Sequence, residues 1–223
     1  MYYHWILVPF ILIGTFITWR ARNKEDYKTV AIAQPVTTVL TIAVAALSFL
    51  APEAIPGFTV WMLVGLGLSL AGDIFNINMT NDKILMAAIV VFFFAYLAYP
   101  IGITVYNGFY WQDIIVGAIL LASVVCLLSY VWKHLENQWK IPGTLYKLVM
   151  IFMVSRGVST FFGDTFSLTQ AIMLSVGTAI LYIADSEYAI HRFVKPFKTI
   201  YGPIMYPTGQ LLIALSCFYF PAG

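Results

Sequence analysis

Between Tyr2 and Phe220 the chain divides into runs of apolar residues, each close to the roughly 20 that a membrane-crossing helix needs. Eight runs fit: Tyr2–Trp19, Thr29–Leu50, Phe58–Phe75, Ile84–Thr104, Trp111–Trp132, Thr144–Phe162, Ser167–Asp185 and Ile200–Phe220. The connections between them are short, so neighbouring runs are expected to pack as antiparallel hairpins. Only 10% of the 223 residues are charged, against about 25% in a soluble globular chain. The expectation is an all-α polytopic membrane protein. It is one eight-helix transmembrane domain over 1–223, with no extramembrane domain.

Charge placement orients this bundle, because Lys and Arg concentrate in cytoplasmic connections. Arg20, Arg22, Lys24 and Lys28 follow the first run, and Lys83 follows the third. Lys133, Lys140 and Lys147 surround the connection after the fifth, and Arg192, Lys195 and Lys198 follow the seventh. The three intervening connections contain no Lys or Arg. Eleven of the twelve basic residues thus fall on one side, which puts both termini on the non-cytoplasmic side. The twelfth, Arg156, is expected near the middle of the membrane. A net charge of +2 gives no reason to invoke nucleic acid. Cys126 and Cys217 lie in apolar runs, and His4, His134 and His191 share no ligand spacing. No disulfide, metal or cofactor is therefore expected. The first run has no basic segment before it and reads as a retained span.

Polar residues inside apolar runs are costly, and at membrane depth they point to function. Ser175, Thr178, Tyr182, Asp185, Tyr188 and Arg192 recur every three or four residues and so share one helix face. Asp73 and Asn76 end the third run, Gln34 lies early in the second, Gln210 lies in the eighth, and Tyr96 and Tyr99 sit in the fourth. All fall in the inner half or the middle, which suggests a cavity opening toward the cytoplasmic leaflet and closed outside. Two carboxyl groups in different environments form an acid/base pair, so Asp73 and Asp185 are the catalytic candidates. The alternative is a pair of helix-end aspartates at the interface, partnered by Lys83 or Arg192. Arg192 is a candidate for binding phosphate or for pairing with Asp185. Arg156 is a candidate for a headgroup or for a buried acid. Gln34 and Gln210 can hold water or join helices, and Tyr96 and Tyr99 can pack or bind. Gly65, Ser69 and Gly72 give the third helix a face of small residues that permits close approach.

Four stretches together resemble the lysoplasmalogenase (YhhN-like) family of eight-span membrane proteins. They are Tyr27-Lys28-Thr29 through Gln34-Pro35-Val36-Thr37-Thr38; Leu70-Ala71-Gly72-Asp73; Gly177 to Phe193, with Asp185-Ser186 and Arg192-Phe193; and Tyr206-Pro-Thr-Gly-Gln210 through Ser216. The third has Ala184 where the family commonly has Ser. The family also often has His where Tyr96 stands. The resemblance implies cleavage of the vinyl ether bond of a lysoplasmalogen, giving a fatty aldehyde and a glycerophospho-alcohol.

The residues suit that chemistry. A carboxylic acid in a poor dielectric can protonate carbon, and a nearby carboxylate can stabilise the oxocarbenium ion and activate water. The expected partners are then a lysophospholipid substrate and the lipid bilayer, with the phosphate near Arg192 or Lys28. Asp73 and Asp185 carry the catalysis. Lys28, Gln34, Asn76, Tyr96, Tyr99, Arg156, Tyr182, Arg192 and Gln210 line the binding site. The bacterial inner membrane is the favoured location, with the endoplasmic reticulum as the alternative. Two other functions stay open on the residues alone: a transporter of a small solute or lipid, and a non-catalytic lipid-binding protein.

Overall fold

The computed structural model describes residues 3–77 and 81–221, so Tyr2, the expected start of the first run, lies outside the described residues. The described chain is all-α. Its eight helices are α1 (Val8–Asn23), α2 (Tyr27–Leu47), α3 (Pro56–Phe75), α4 (Asp82–Asn107), α5 (Gln112–Val131), α6 (Asn137–Ser159), α7 (Leu168–Phe193) and α8 (Gly202–Leu215). Seven of them are long and apolar enough to cross a membrane. Helix α8 has 14 residues, a rise of about 21 Å, which is short of a full crossing. The chain beyond it nonetheless continues through the bundle. Phe220 packs edge-on against Phe58 near the start of α3, and beside Phe166 just before α7. His4 stacks on Phe218 with ring centroids 3.8 Å apart. The segments next to both termini therefore meet at one end of the bundle, opposite the end that holds most of the basic residues.

Local sequence sets the helix starts. Asp26 caps α2 by accepting from Thr29 N at 3.2 Å and Thr29 Oγ1 at 2.6 Å, bonds that hold its carboxyl below the usual range. Asn81 caps α4, and Ser167 with Gln170 forms a capping box at α7. Pro56 and Pro203 occupy the first turns of α3 and α8, where the missing N–H costs nothing.

Helix ends depart from hydropathy. Helix α6 begins seven residues before Thr144, at Asn137, so Lys140 and Lys147 belong to the helix and not to a connection. Helix α7 continues eight residues beyond Asp185 to Phe193. Glu187, His191 and Arg192 are compatible with a helix; the halt comes at Pro196, which disfavours helical geometry in the residue before it. Arg156 lies in the last turn of α6, not near its middle.

Packing follows a ring. Helix α1 packs on α2, α2 on α3, α3 on α4, α4 on α6, α6 on α7, α7 on α8, and α8 returns to α1 and α2. Helix α5 leans on the outside of α6. Glycines set two of these contacts. A Cβ at Gly177 would stand 2.9 Å from the Gly209 carbonyl oxygen, and one at Gly209 would stand 2.7 Å from that of Gly177, so α7 and α8 touch backbone to backbone. Gly65 and Gly72 receive the rings of Tyr99 and Phe92. The small face of α3 thus serves α4 and not α7. The far end is filled by Phe58, Tyr106, Phe166 and Phe220 in edge-to-face contact.

Candidate active site

At the basic end seven helices and Asn76, just past α3, contribute to one cavity of about 150 Å³, well above the about 10–15 Å³ that a single water needs by the same measure. Much of its wall is apolar, with Leu85, Ile89 and Phe92 from α4, and Leu127, Leu128 and Val131 from α5. Polar groups enter from the other side: Arg22 of α1, Gln34 of α2, Asn76 after α3, Tyr146 and Lys147 of α6, Asp185, Glu187 and Tyr188 of α7, and Tyr206 of α8.

Asp185 is half-buried on this wall. Tyr146 Oη donates to its Oδ2 at 2.5 Å. Tyr96 is fully buried beside Tyr146, with ring centroids 5.7 Å apart, and its hydroxyl lies within hydrogen-bonding reach of Tyr146 and Asp185. Two tyrosine hydroxyls, from α4 and α6, thus gather at the Asp185 carboxyl.

Asp73 lies one layer deeper. It is fully buried and does not itself reach the cavity surface. Gln34 Nε2 donates to Oδ1 at 2.7 Å and Thr38 Oγ1 to Oδ2 at 2.5 Å. The Tyr206 hydroxyl is also within hydrogen-bonding reach. Gln34 and Thr38 are one helical turn apart on α2, which brings both side chains to the same carboxyl. Gln34 Oε1 in turn accepts from Arg22 Nη2 at 2.8 Å. Tyr206 accepts from Gln210 Nε2 at 2.7 Å. The two aspartates therefore do not meet face to face. Helices α3 and α7 pack on different neighbours, and Tyr206, Tyr96 and Tyr146 occupy the space between the carboxyls. Asp185 lines the cavity, whereas Asp73, expected there too, is set back from it behind Gln34 and Tyr206.

The remaining candidates divide. Gln34 and Asn76 line the cavity. Gln210 and Tyr99 are fully buried behind it, with Tyr99 Oη 3.5 Å from Ser69 Oγ. Lys28 is exposed on the first turn of α2, away from the cavity. Arg192 pairs with neither Asp185 nor a cavity group. Its Nη2 lies 2.9 Å from Asp82 Oδ1 at the exposed start of α4. Tyr182 turns toward α5, where its hydroxyl lies 3.0 Å from Ser123 Oγ. Ser175 donates to the Gly157 carbonyl at 2.9 Å. The upper half of the α7 polar stripe therefore joins helices, and only Asp185 and Tyr188 line the cavity. Arg156 is at the opposite end of the bundle, 2.5 Å from Asp113 Oδ2, an aspartate that had no evident partner in the sequence. It also donates to the Gly108 carbonyl and stacks over Phe109.

Several site residues escaped sequence reasoning. Arg22 and Lys147 were read only as charges marking the cytoplasmic side, yet both are buried on the cavity wall. Tyr146 and Tyr206 were hidden among 14 tyrosines. The pairs Gln34–Thr38 and Tyr206–Gln210, each spaced by four on an apolar helix, were the signal that could have exposed the Asp73 network. Glu187 accepts from the backbone N–H groups of Tyr201 and Gly202, which fixes the start of α8 and hence Tyr206. Among the described residues, no three His, Cys, Asp or Glu side chains converge as a metal set would.

No curated protein and no solved structure matches the chain. Residues 29–217 do match the YhhN family, a span that includes both aspartates, the tyrosines between them and every helix but α1. With so much of its length inside that match, the chain belongs to the YhhN family.

Proposed function

We propose that the protein is a membrane hydrolase that cleaves the vinyl ether bond of a lysoplasmalogen. Membership of the YhhN family supports a lipid-processing membrane enzyme. The observation that carries the finer reading is the placement of Asp185. It is a carboxyl on the wall of a largely apolar cavity, held by Tyr146, with a second carboxyl behind the same wall.

The two carboxyls differ in their partners. Asp73 receives donors from Gln34, Thr38 and the Tyr206 side, a set that suits a carboxylate ion. Asp185 receives Tyr146 at Oδ2, with the Tyr96 hydroxyl also within reach, and it stands on the cavity wall. In this reading Asp185 gives its proton to the vinyl carbon remote from the ether oxygen. The positive charge that develops on the oxygen and the adjacent carbon is stabilised by the new Asp185 carboxylate and by the field of Asp73. The Asp185 carboxylate then takes a proton from the water that adds to the cation. Asp185 then gives that proton to the glyceryl oxygen as the C–O bond of the hemiacetal breaks and takes the proton of the hemiacetal hydroxyl, which releases aldehyde and glycerophospho-alcohol. One water is consumed, and Asp185 ends protonated as it began, the pattern of an acid/base carboxyl in glycosidases.

The apolar groove between the inner ends of α4 and α5 suits the alkenyl chain. These two helices do not pack on each other along their length, and Leu85, Ile89, Leu127, Leu128 and Val131 face the gap. The test is direct. Purified protein is incubated with lysoplasmalogen and free aldehyde is measured; release is expected with the vinyl ether substrate and not with the saturated ether. No release from the vinyl ether lipid under conditions where the protein is folded would refute the activity.

A further inference from the structure

Two cations face the cavity, and neither is neutralised by an ion pair within it. Arg22 is 7% exposed and Lys147 is 4% exposed. Arg22 spends its donors on neutral acceptors, Gln34 Oε1 and the Asn76 carbonyl, each at 2.8 Å, with the Ile77 carbonyl at 3.4 Å. Part of its task is structural, since it holds the last carbonyls of α3. Lys147 has no such task. Its Nζ donates to Ser186 Oγ at 3.0 Å and lies 3.7 Å from Met150 Sδ, with the Tyr182 ring 5.0 Å away. An ammonium has three donors; here a hydroxyl takes one and a thioether weakly takes another. Asp185 lies in its field but makes no ion pair with it, and a buried ammonium so matched is expensive unless something else completes it.

We infer that Lys147, with Arg22 across the cavity, is an anion site for the phosphodiester of a single-chain phospholipid. The inference rests on the lipid-hydrolase reading for the identity of the amphiphile. Position supports it. Tyr146 and Lys147 are consecutive on α6, and they bond Asp185 and Ser186, which are consecutive on α7. In a lysophospholipid the phosphate is a short glycerol arm from the sn-1 ether. A phosphate at Lys147 therefore leaves the ether beside Asp185 and the chain pointing into the apolar groove. Arg192 and Lys28 are too exposed to do this, because both lie off the cavity wall.

The test uses ligands that cannot be cleaved, so it is independent of aldehyde release. Binding to the purified full-length protein is measured for a 1-O-alkyl glycerophosphoethanolamine, for the matching 1-O-alkylglycerol without phosphate, and for chain-free glycerophosphoethanolamine. The phosphate-bearing amphiphile is expected to bind about 10-fold or more tightly than the neutral one, the scale of a charge-assisted hydrogen bond in a poor dielectric. Lys147→Gln should erase most of that difference and leave the neutral ligand unchanged, while Lys147→Arg should keep it. The chain-free headgroup should bind far more weakly than the amphiphile. Equal affinity of the wild-type protein for charged and neutral amphiphiles overturns the inference even where Lys147→Gln fails to fold. Equal affinity for the chain-free headgroup overturns the assignment to an amphiphile. A protein that discriminates phosphate but releases no aldehyde keeps the anion site and loses the hydrolase reading.

Discussion

Tyr146 and Asp185 are joined across α6 and α7 by a hydrogen bond of 2.5 Å from Oη to Oδ2. It ties a cavity-lining carboxyl of α7 to α6. Tyr146→Phe removes the donor and keeps the ring that packs on Tyr96. Turnover is expected to fall by about 10²-fold, the lower end for loss of a positioned donor at a reacting group. The thermal midpoint should change little. Steady-state kinetics beside a melting curve checks both.

Arg192 offers a contrast. Its partner Asp82 is 49% exposed and Arg192 itself is 33% exposed, and surface pairs of this kind contribute about 0–1 kcal/mol. Arg192→Ala is therefore expected to leave KM and kcat within about twofold. A large rise in KM would restore Arg192 to the phosphate site that its position on the α7 stripe suggested.

Gly209 carries the α7–α8 contact. Gly209→Ala would set its Cβ 2.7 Å from the Gly177 carbonyl oxygen and 2.8 Å from Leu181 Cγ. Neither neighbour yields easily, so a loss of about 1–3 kcal/mol is expected, the usual cost of overpacking. A lowered thermal midpoint of the purified protein is the readout, and an unchanged one would mean that the two helices separate readily.

Eight crossings with both termini outside remain the expected topology. The eleven basic residues that the charge bias gathers on one side belong to the connections and helix ends at the cavity end, while His4 and Phe218 meet at the other. A C-terminal reporter active only in the cytoplasm should stay silent. A strong signal would invert the bundle or remove a crossing.

The break from apolar to charged residues was enough to mark Asp73 and Asp185, because few ionisable groups interrupt these runs. The all-α bundle and its short connections were equally plain. What hydropathy concealed was helix length. A sixth run that began at Thr144 put Lys147 at its inner edge as a flanking charge, although α6 had begun ten residues earlier at Asn137 and turned that lysine to the cavity wall. Counting Arg22 and Lys147 toward the charge bias fixed an orientation but hid two cavity residues. The α7 stripe misled in the opposite way. Ser175 and Tyr182 share a face with Asp185, yet α6 and α5 cover the first two; period alone cannot say which part of a polar face another helix will meet. The glycines of α3 predicted close approach but not that α4 would be the partner, since neighbours in a bundle follow from the whole ring of contacts.

The account depends most on the two carboxyls acting on one transition state. The measurement is the kcat of aldehyde release by Asp73→Asn, Asp185→Asn and the double variant, at matched amounts of folded protein. Asn keeps the shape of each side chain, so the fold should survive. Each single variant is expected to lose about 10²-fold or more, the scale of general acid–base catalysis. The double variant should lose little beyond the worse single one, because groups that serve one step are not additive. Near-normal aldehyde release by Asp185→Asn would contradict the account outright.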